Sequence, residues 1–243
     1  MKIAVFADVH GNLYSLEAVL KDIESKGIDR VYCVGDLVGY GPRPNEVVQL
    51  IRSKRIPTVM GNYDDAIGNM RLICGCDYKD EEFLRLGQKS IAWTGENTGD
   101  ENKAWLSGLP SEIRETFNGH RVLFVHGSPG ALNEYLYENT SEEYLDQLLK
   151  ENSADILVCG HTHLPYVKKL ASGLVVNAGS AGKPKHGNPN ATYVIIDLTG
   201  DAPDSEIIEV EYDYEATAAE IEKSGLPSEF ARIVRTGKIK NAP

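Results

Sequence analysis

Seven residues with metal-binding side chains stand at or just beyond the ends of short apolar segments. They are Asp8, His10, Asp36, Asn62, His126, His161 and His163. Imidazole nitrogens together with carboxylate and amide oxygens suit manganese, iron, zinc or nickel, whereas a site rich in imidazole suits magnesium less well. We expect these side chains, which lie far apart along the chain, to form one metal centre.

The apolar segments that precede these residues are each typical of a buried β-strand. They cover residues 3–7, 31–34, 56–60, 122–125 and 156–159. Helical patterns separate them, which favours βαβ units and a mostly parallel sheet. Because ligands bind at the carboxyl ends of strands in open α/β sheets, we expect the loops after these strands to meet at one sheet edge.

The pattern of the remaining segments predicts further helices and a second sheet. Helices are predicted from Leu13 to Gly27, over 45–54, 83–93 and 103–106, around Leu145 to Leu149, and over 215–235. Strands are predicted at 112–117 and 121–125, joined by the turn Asn118-Gly119, and at 166–170, 174–177, 191–198 and 207–212. We expect the last four strands to form a second sheet that packs on the first.

The domain organisation follows from this order of elements. We expect one domain over residues 1–243 that ends in a helical tail, residues 213–243. Residues 63–110 are the least regular part and lie between two strands that carry candidate ligands. We therefore expect this segment to be an insert that overhangs the site and shapes what enters it.

Composition excludes several classes of protein. A chain of 243 residues, 42% of them hydrophobic, is long enough to bury one sizeable core. Its net charge of −11 disfavours binding to extended nucleic acid, which requires a basic surface. No apolar stretch has the length of a membrane span, and the first one indicates a strand rather than a signal peptide. Cys33, Cys74, Cys76 and Cys159 are scattered, as in proteins with reduced thiols, so we expect a cytoplasmic location.

The order of the motifs resembles the calcineurin-like metallophosphoesterase family. The motifs are Asp-x-His, Gly-Asp, Gly-Asn-x-Asp, His-Gly and Gly-His-Thr-His, and they run from Asp8 to His163. The resemblance implies an α/β, four-layer sandwich in which two mixed sheets are flanked by helices. It also implies two metal sites that share Asp36. The implied ligands are Asp8, His10, Asp36 and His163 for one ion, and Asp36, Asn62, His126 and His161 for the other.

Two adjacent divalent ions would determine the chemistry of such a site. Only two ligand carboxylates offset their charge, so the site would stay positive and attract a phosphate ester. A metal ion lowers the pKa of its bound water from about 15.7 to about 7, so a metal-bound hydroxide is available at neutral pH. We expect a dinuclear phosphoesterase of the phosphodiesterase-like branch, with Asn62, Tyr63, Asp64 and His126 at its catalytic centre.

The third motif departs from the family pattern. Many members have Gly-Asn-His-Asp, and that histidine is implied to donate a proton to the leaving group, whereas this chain has Tyr63. A tyrosine with a pKa of about 10 is a poor general acid near neutral pH. We therefore expect small phosphodiesters or nucleotides as substrates, with Tyr63 either supplying its hydroxyl or packing on the substrate.

A second departure is Ala178, where the family often has proline. The loop that follows is rich in glycine, proline and polar residues, and its backbone amides suit an anion. The residues that we expect near a substrate phosphate are Arg43, Ser180, Lys183, Lys185 and His186.

Other functions are compatible with the same motifs. Some relatives of this fold are non-catalytic scaffolds that bind other proteins, and others are nucleases. A dinucleoside-polyphosphate hydrolase would have the same ligands. The acidic charge of the chain disfavours the nuclease, and the complete set of ligands disfavours the scaffold.

Overall fold

The protein is described by a computed structural model for residues 1–75, 80–200 and 202–239. Cys76 lies outside these residues. The strands are β1 (Lys2–Phe6), β2 (Arg30–Cys33), β3 (Glu112–Phe117), β4 (His120–Val125), β5 (Ile156–Cys159), β6 (Tyr166–Leu170), β7 (Gly173–Asn177), β8 (Ala191–Asp197) and β9 (Asp204–Val210). The helices are α1 (Leu13–Ser25), α2 (Pro44–Ser53), α3 (Asn62–Gly68), α4 (Glu81–Asn97), α5 (Asp100–Ser107), α6 (Glu142–Glu151), α7 (Tyr214–Ser224) and α8 (Ser228–Thr236).

The strands form two mixed sheets. The first has the order β2-β1-β8-β9, in which β1 and β2 are parallel and the other pairs are antiparallel. The second has the order β3-β4-β5-β7-β6, with β4, β5 and β7 parallel and an antiparallel strand at each edge. Parallel and antiparallel pairs therefore occur in both sheets.

Side chains that point to alternate faces of each strand pack the two sheets against each other and against the helices. In β1, Ile3 and Val5 belong to an apolar core that also contains Phe124 of β4 and Val158 of β5, so the two sheets pack face to face. Phe6 faces the opposite way, into a core shared with α1 and α2. Helix α6 covers the outer face of the second sheet. This order of layers confirms the predicted α/β class with two mixed sheets flanked by helices.

The predicted second sheet of the last four strands is wrong. Strands β8 and β9 extend the first sheet next to β1, whereas β7 and β6 extend the second sheet next to β5. The reason is visible in β8, where Tyr193 and Val194 point to opposite faces and are both fully buried. Tyr193 packs into the core shared with α1 and α2, and Val194 packs into the core between the two sheets, so β8 lies inside the first sheet, between β1 and β9.

The predicted strand over 56–60 is also wrong. Only a single bridge joins Cys33 to Thr58 in this segment. Pro57 has no amide hydrogen to donate, and the amide of Met60 donates to the carbonyl of Pro110 at 2.7 Å instead of to β2. The pairing therefore ends after two backbone hydrogen bonds to Cys33, from its amide to Pro57 and from Val59 to its carbonyl.

Residues 63–110 are more regular than the sequence indicated, because α3, α4 and α5 occupy most of the described part of this segment. The short α3 was not predicted, and α4 is longer than expected because the Asp80 side chain caps its first turn. The predicted helical tail is two helices, since Gly225 has a φ of 88° and Pro227 follows it. No helix in the described ranges is both long enough and apolar enough to cross a membrane.

Candidate metal centre

The candidate ligands come from loops that both sheets contribute. Asp8 and His10 follow β1 and Asp36 follows β2, whereas His126 follows β4 and His161 follows β5. The prediction that the ligand-bearing loops meet at the edge of one sheet is therefore wrong in detail. The loops meet where the carboxyl ends of strands from two packed sheets come together, because the face-to-face packing aligns those ends.

The first group of side chains consists of Asp8, His10 and His163. The Nε2 atoms of the two histidines are 3.3 Å apart. Oδ1 of Asp8 lies 3.6 Å from Nε2 of His10 and 3.3 Å from Nε2 of His163. All three side chains are buried, so three potential ligand atoms enclose one small volume.

The second group consists of Asp36, His126 and His161. Nε2 of His126 lies 3.2 Å from Nδ1 of His161 and 3.5 Å from Oδ2 of Asp36. Oδ1 of Asn62 lies 3.0 Å from the same His126 nitrogen, so the asparagine adds a fourth potential ligand. The structure thus brings all seven predicted residues into two adjacent groups.

Asp36 lies between the two groups. Its Oδ2 atom is 3.5 Å from Nε2 of His126 in the second group and 3.7 Å from Nε2 of His10 in the first. One carboxylate can therefore contact an ion in either group, which is the arrangement of a bridging ligand.

Backbone carbonyls orient the imidazoles for metal binding. Nδ1 of His10 lies 3.0 Å from the Val38 carbonyl, and Nδ1 of His126 lies 2.8 Å from that of Val34. His163 makes the same contact with the Lys183 carbonyl at 2.6 Å. Since a carbonyl only accepts, each Nδ1 carries the proton and each Nε2 directs a lone pair towards the centre.

His161 has the opposite orientation. Its Nε2 atom faces the carbonyl of Asn133 at 3.2 Å, which leaves Nδ1 directed inwards.

The electrostatics of the site also fit divalent cations. Oδ1 of Asp8 is buried and accepts no hydrogen bond from the residues that the structure describes. Burial lowers the pKa of His10 and His163, and it lowers that of His161 to about 3, so these imidazoles are neutral at pH 7. Burial and the nearby carboxylates of Asp8 and Asp64 raise the pKa of Asp36 well above its ordinary value. Bound cations would compensate this buried negative charge.

The backbone at the site is held in an uncommon conformation. Five of the seven candidate ligands have φ values in the left-handed region: 54° at Asp8, 50° at His10, 57° at Asp36, 65° at His161 and 61° at His163. Each such residue costs on the order of 1–3 kcal/mol and persists only where its surroundings impose it. Strain of this kind clusters at functional sites.

Asp64 lies beneath Asp36 rather than in the cavity. Its carboxylate accepts hydrogen bonds from the backbone amides of Asp36 at 2.8 Å, Leu37 at 2.9 Å and Gly61 at 3.0 Å. It is fully buried. Asp64 therefore joins the loop after β2 to the start of α3 and fixes the position of the shared carboxylate.

Replacement of Asp64 by asparagine is expected to lower the free energy of unfolding by about 2–3 kcal/mol, because the new amide group cannot accept all the hydrogen bonds that the carboxylate accepts. Urea denaturation measures the change. Asp65→Asn is the matched control, since Asp65 pairs with the exposed Arg71 at the surface and such pairs contribute about 1 kcal/mol or less. Equal stability of the two variants would contradict this role.

Tyr63 is buried beside the first group of ligands. Its backbone amide donates to Oδ1 of Asp36 at 2.8 Å, and its ring centroid lies 5.5 Å from that of His10. The ring packs on Gly39, where a Cβ atom would come within 2.2 Å of it. Gly39 therefore leaves the space in which the tyrosine ring lies, and the ring borders the cavity.

The expected phosphate-binding residues have different surroundings. The Arg43 guanidinium binds both carboxylate oxygens of Glu220 in α7. Arg43 does not border the described cavity. Its partner, rather than a substrate, accounts for its position. Ser180 is buried and donates to the Asp8 carbonyl at 2.8 Å, which makes it a support of the loop. His186 lies near Glu209 and also outside the cavity lining.

Lys183 and Lys185 do border the cavity. The ammonium of Lys183 lies 4.0 Å from the centre of the Tyr40 ring, a distance typical of a cation–π contact. Because the Lys183 carbonyl also orients His163, this residue links the candidate ligands to the cavity wall.

The cavity has a volume of about 550 Å³, and candidate ligands from both groups lie at its floor. Its walls contain residues that the sequence did not indicate, among them Tyr40, Phe83, Tyr135 and Phe230. Tyr40 and Tyr135 lie in loops, whereas Phe83 and Phe230 lie in helices. Aromatic residues are common in cores, so no local pattern distinguishes those that face a cavity.

Comparison with known proteins agrees with this geometry. The family model of the calcineurin-like phosphoesterase superfamily domain matches residues 1–201. The protein MJ0912 of Methanocaldococcus jannaschii is 35% identical over 240 residues, which cover 93% of each chain.

Two further proteins extend the likeness. The crystal structure of a metallophosphoesterase from Sphaerobacter thermophilus has a TM-score of 0.77 and 30% identity, with 98% of this chain and 99% of that chain covered. Phosphodiesterase YfcE of Escherichia coli is 26% identical over 207 residues, 81% of this chain and 88% of that protein. With the family match spanning most of its residues, this chain belongs to the calcineurin-like phosphoesterase superfamily.

Proposed function

We propose that the protein is a phosphodiesterase that uses two divalent metal ions to hydrolyse nucleotides or other small phosphodiesters. The observation that carries this proposal is the position of Asp36, whose carboxylate lies within 3.7 Å of a histidine in each ligand group. The likeness to YfcE, which is named a phosphodiesterase, supports the same reaction class.

Each group of side chains would hold one ion. Asp8, His10 and His163 would bind the first, and Asn62, His126 and His161 the second, with Asp36 shared. The mixture of nitrogen and oxygen donors favours manganese, iron, zinc or nickel over magnesium. When bound, the two ions supply a nucleophilic hydroxide at neutral pH and positive charge against the phosphoryl oxygens.

The other residues of the site position the substrate. The ammonium of Lys183, held over the Tyr40 ring, is placed to attract a phosphate oxygen at the cavity floor. The backbone amide of Tyr63 fixes Asp36. Because the tyrosine hydroxyl is a weak acid near neutral pH, esters whose leaving group departs without protonation should react best.

The shape and charge of the molecule favour a small substrate. Side chains of α4 and α8 wall the cavity on the side away from the ligands. We propose that α4, in the segment expected to overhang the site, limits what can enter. A net charge of −11 opposes the approach of a long polyanion.

A comparison of diesters with monoesters tests this function. We expect the manganese-loaded protein to hydrolyse bis(p-nitrophenyl) phosphate at least about 10²-fold faster than glycerol 2-phosphate, because only the alkyl leaving group needs a general acid. Asn62→Ala and His126→Ala, checked for folding, serve as inactive controls. Faster hydrolysis of the alkyl monoester would contradict the proposal, and no turnover of either ester by folded, metal-loaded protein would favour the protein-binding scaffold.

A further inference from the structure

The cavity above the candidate ligands has one predominantly apolar wall, which two helices form. Phe83 and Leu86 come from α4, and Phe230 and Ile233 come from α8. These residues belong to one apolar cluster, in which Leu86, Phe230 and Ile233 are buried. We refer to these four residues as the α4–α8 wall. Helix α8 lies beyond residue 201, where the family match ends.

Ring contacts connect the α4–α8 wall to the candidate ligands. The ring of Tyr40 lies edge-on to His10 at 4.9 Å and edge-on to Phe230 at 5.0 Å. The Lys183 ammonium lies over the same Tyr40 ring. The cavity therefore has a polar end, at the candidate ligands and the Lys183 ammonium, and an apolar end at the α4–α8 wall.

The wall is fixed in place before any ligand binds. The indole nitrogen of Trp93 in α4 donates to the carbonyl of Ser224 at the end of α7, at 2.8 Å. Arg235 of α8 pairs with Glu215 and Glu222 of α7. Because α4 and α8 are both tied to α7, the apolar surface that they present is preorganised, which lowers the entropic cost of binding.

The volume of the cavity exceeds what a phosphate group needs. Ligand sites of about 300–1,000 Å³ hold organic molecules, with mostly apolar and aromatic walls and a few polar groups that fix orientation. At about 550 Å³, this cavity has room for a ring next to the phosphate. Phe83 is half-buried and borders the cavity, so part of its side chain is accessible to a bound ring.

We propose that the α4–α8 wall binds a planar aromatic group of the substrate, such as an aryl ring or a nucleobase, while the metal centre binds the phosphate. Phe83, Phe230 and Ile233 are then specificity-determining residues that select aromatic phosphodiesters over alkyl ones. This inference rests on the proposed phosphodiesterase function and names the class of ester that the site prefers.

The test measures binding rather than turnover. Isothermal titration calorimetry of the manganese-loaded protein compares phenylphosphonate with methylphosphonate, which share the anionic group and are not hydrolysed. We expect the phenyl compound to bind at least about tenfold more tightly, because an aromatic ring buried on aromatic side chains is stabilised to that extent. A nucleoside 5′-phosphonate, as a third ligand, shows whether a nucleobase or a smaller aryl ring fits better.

Single substitutions locate the contact. In Phe83→Ala, we expect the preference for the phenyl compound to fall below about threefold, because the half-buried ring is lost. Leu84→Ala is the matched control, since Leu84 is the exposed neighbour of Phe83 on α4 and does not border the described cavity. We expect this variant to keep the wild-type preference.

Three results would overturn the inference. These are equal affinities of the wild-type protein for the two phosphonates, an unchanged preference in Phe83→Ala, and a preference lost in Tyr137→Ala alone. The last would place the ring against Tyr137, another residue of the cavity lining. Selective binding of the phenyl compound without turnover of any ester would instead contradict the proposed hydrolysis and leave the aromatic site standing.

Discussion

Asp36→Asn is expected to lower kcat/KM for bis(p-nitrophenyl) phosphate at least about 10³-fold in the presence of manganese, which corresponds to about 4 kcal/mol of transition-state stabilisation. The carboxylate of Asp36 lies within reach of both histidine groups. Neutralising this carboxylate should weaken the binding of both ions at once, whereas the loss of any other ligand should weaken mainly the binding of one ion. Steady-state kinetics of the purified variant measures the effect.

The asparagine variant should remain folded. Its side-chain oxygen can still accept the hydrogen bond from the Tyr63 amide, which Oδ1 of Asp36 accepts at 2.8 Å. The substitution also removes a carboxyl group that is unfavourably placed. Burial and two neighbouring carboxylates raise the pKa of this group. Asp65→Asn, in α3, controls for an unspecific loss of charge. A variant at position 36 that retains activity within about tenfold of the wild type would contradict a shared ligand.

The second large effect is expected from Tyr63→His. The variant should hydrolyse glycerol 2-phosphate at least about tenfold faster than the wild type, because an imidazole with a pKa near 6.5 can protonate an alkoxide leaving group and general acids contribute about 10²–10⁴ in rate. Tyr63 already borders the cavity beside His10, and the smaller imidazole fits the space on Gly39. The rate with bis(p-nitrophenyl) phosphate should change little.

Tyr63→Phe separates the two interpretations of the tyrosine. If the hydroxyl takes part in the reaction, this variant loses activity on aryl diesters. If the ring only packs, the activity is retained. An unchanged alkyl monoesterase rate in Tyr63→His would show that the missing histidine does not explain the expected preference for diesters.

The proximity of the candidate ligands could be predicted from sequence because it depends on local signals. Asp8, Asp36 and His126 each follow a recognisable apolar strand, and parallel strands direct their carboxyl ends the same way. The division of strands between sheets could not be predicted in this way. β8 pairs with β1 from the other end of the chain, and no local pattern specifies a partner so distant.

Long-range contacts also account for the other differences. Arg43 has the sequence context of a phosphate-binding residue, yet its partner is Glu220, 177 residues away. Phe83 and Phe230 meet only because α4 and α8 pack together. His161 and His163 also have a left-handed backbone, a conformation that is uncommon for residues other than glycine and that no local sequence pattern indicated. Ligand identity is therefore locally encoded, whereas the cavity is a tertiary property.

We propose that the two histidine groups around Asp36 hold two metal ions. The most direct measurement is elemental analysis by inductively coupled plasma mass spectrometry of folded protein that has been loaded with excess manganese and then dialysed. We expect about two manganese ions per chain, as in sites that clamp a phosphoryl group between paired ions, and fewer in Asp36→Asn. Less than one ion per chain in the folded wild-type protein would show that these side chains do not hold a pair of metal ions.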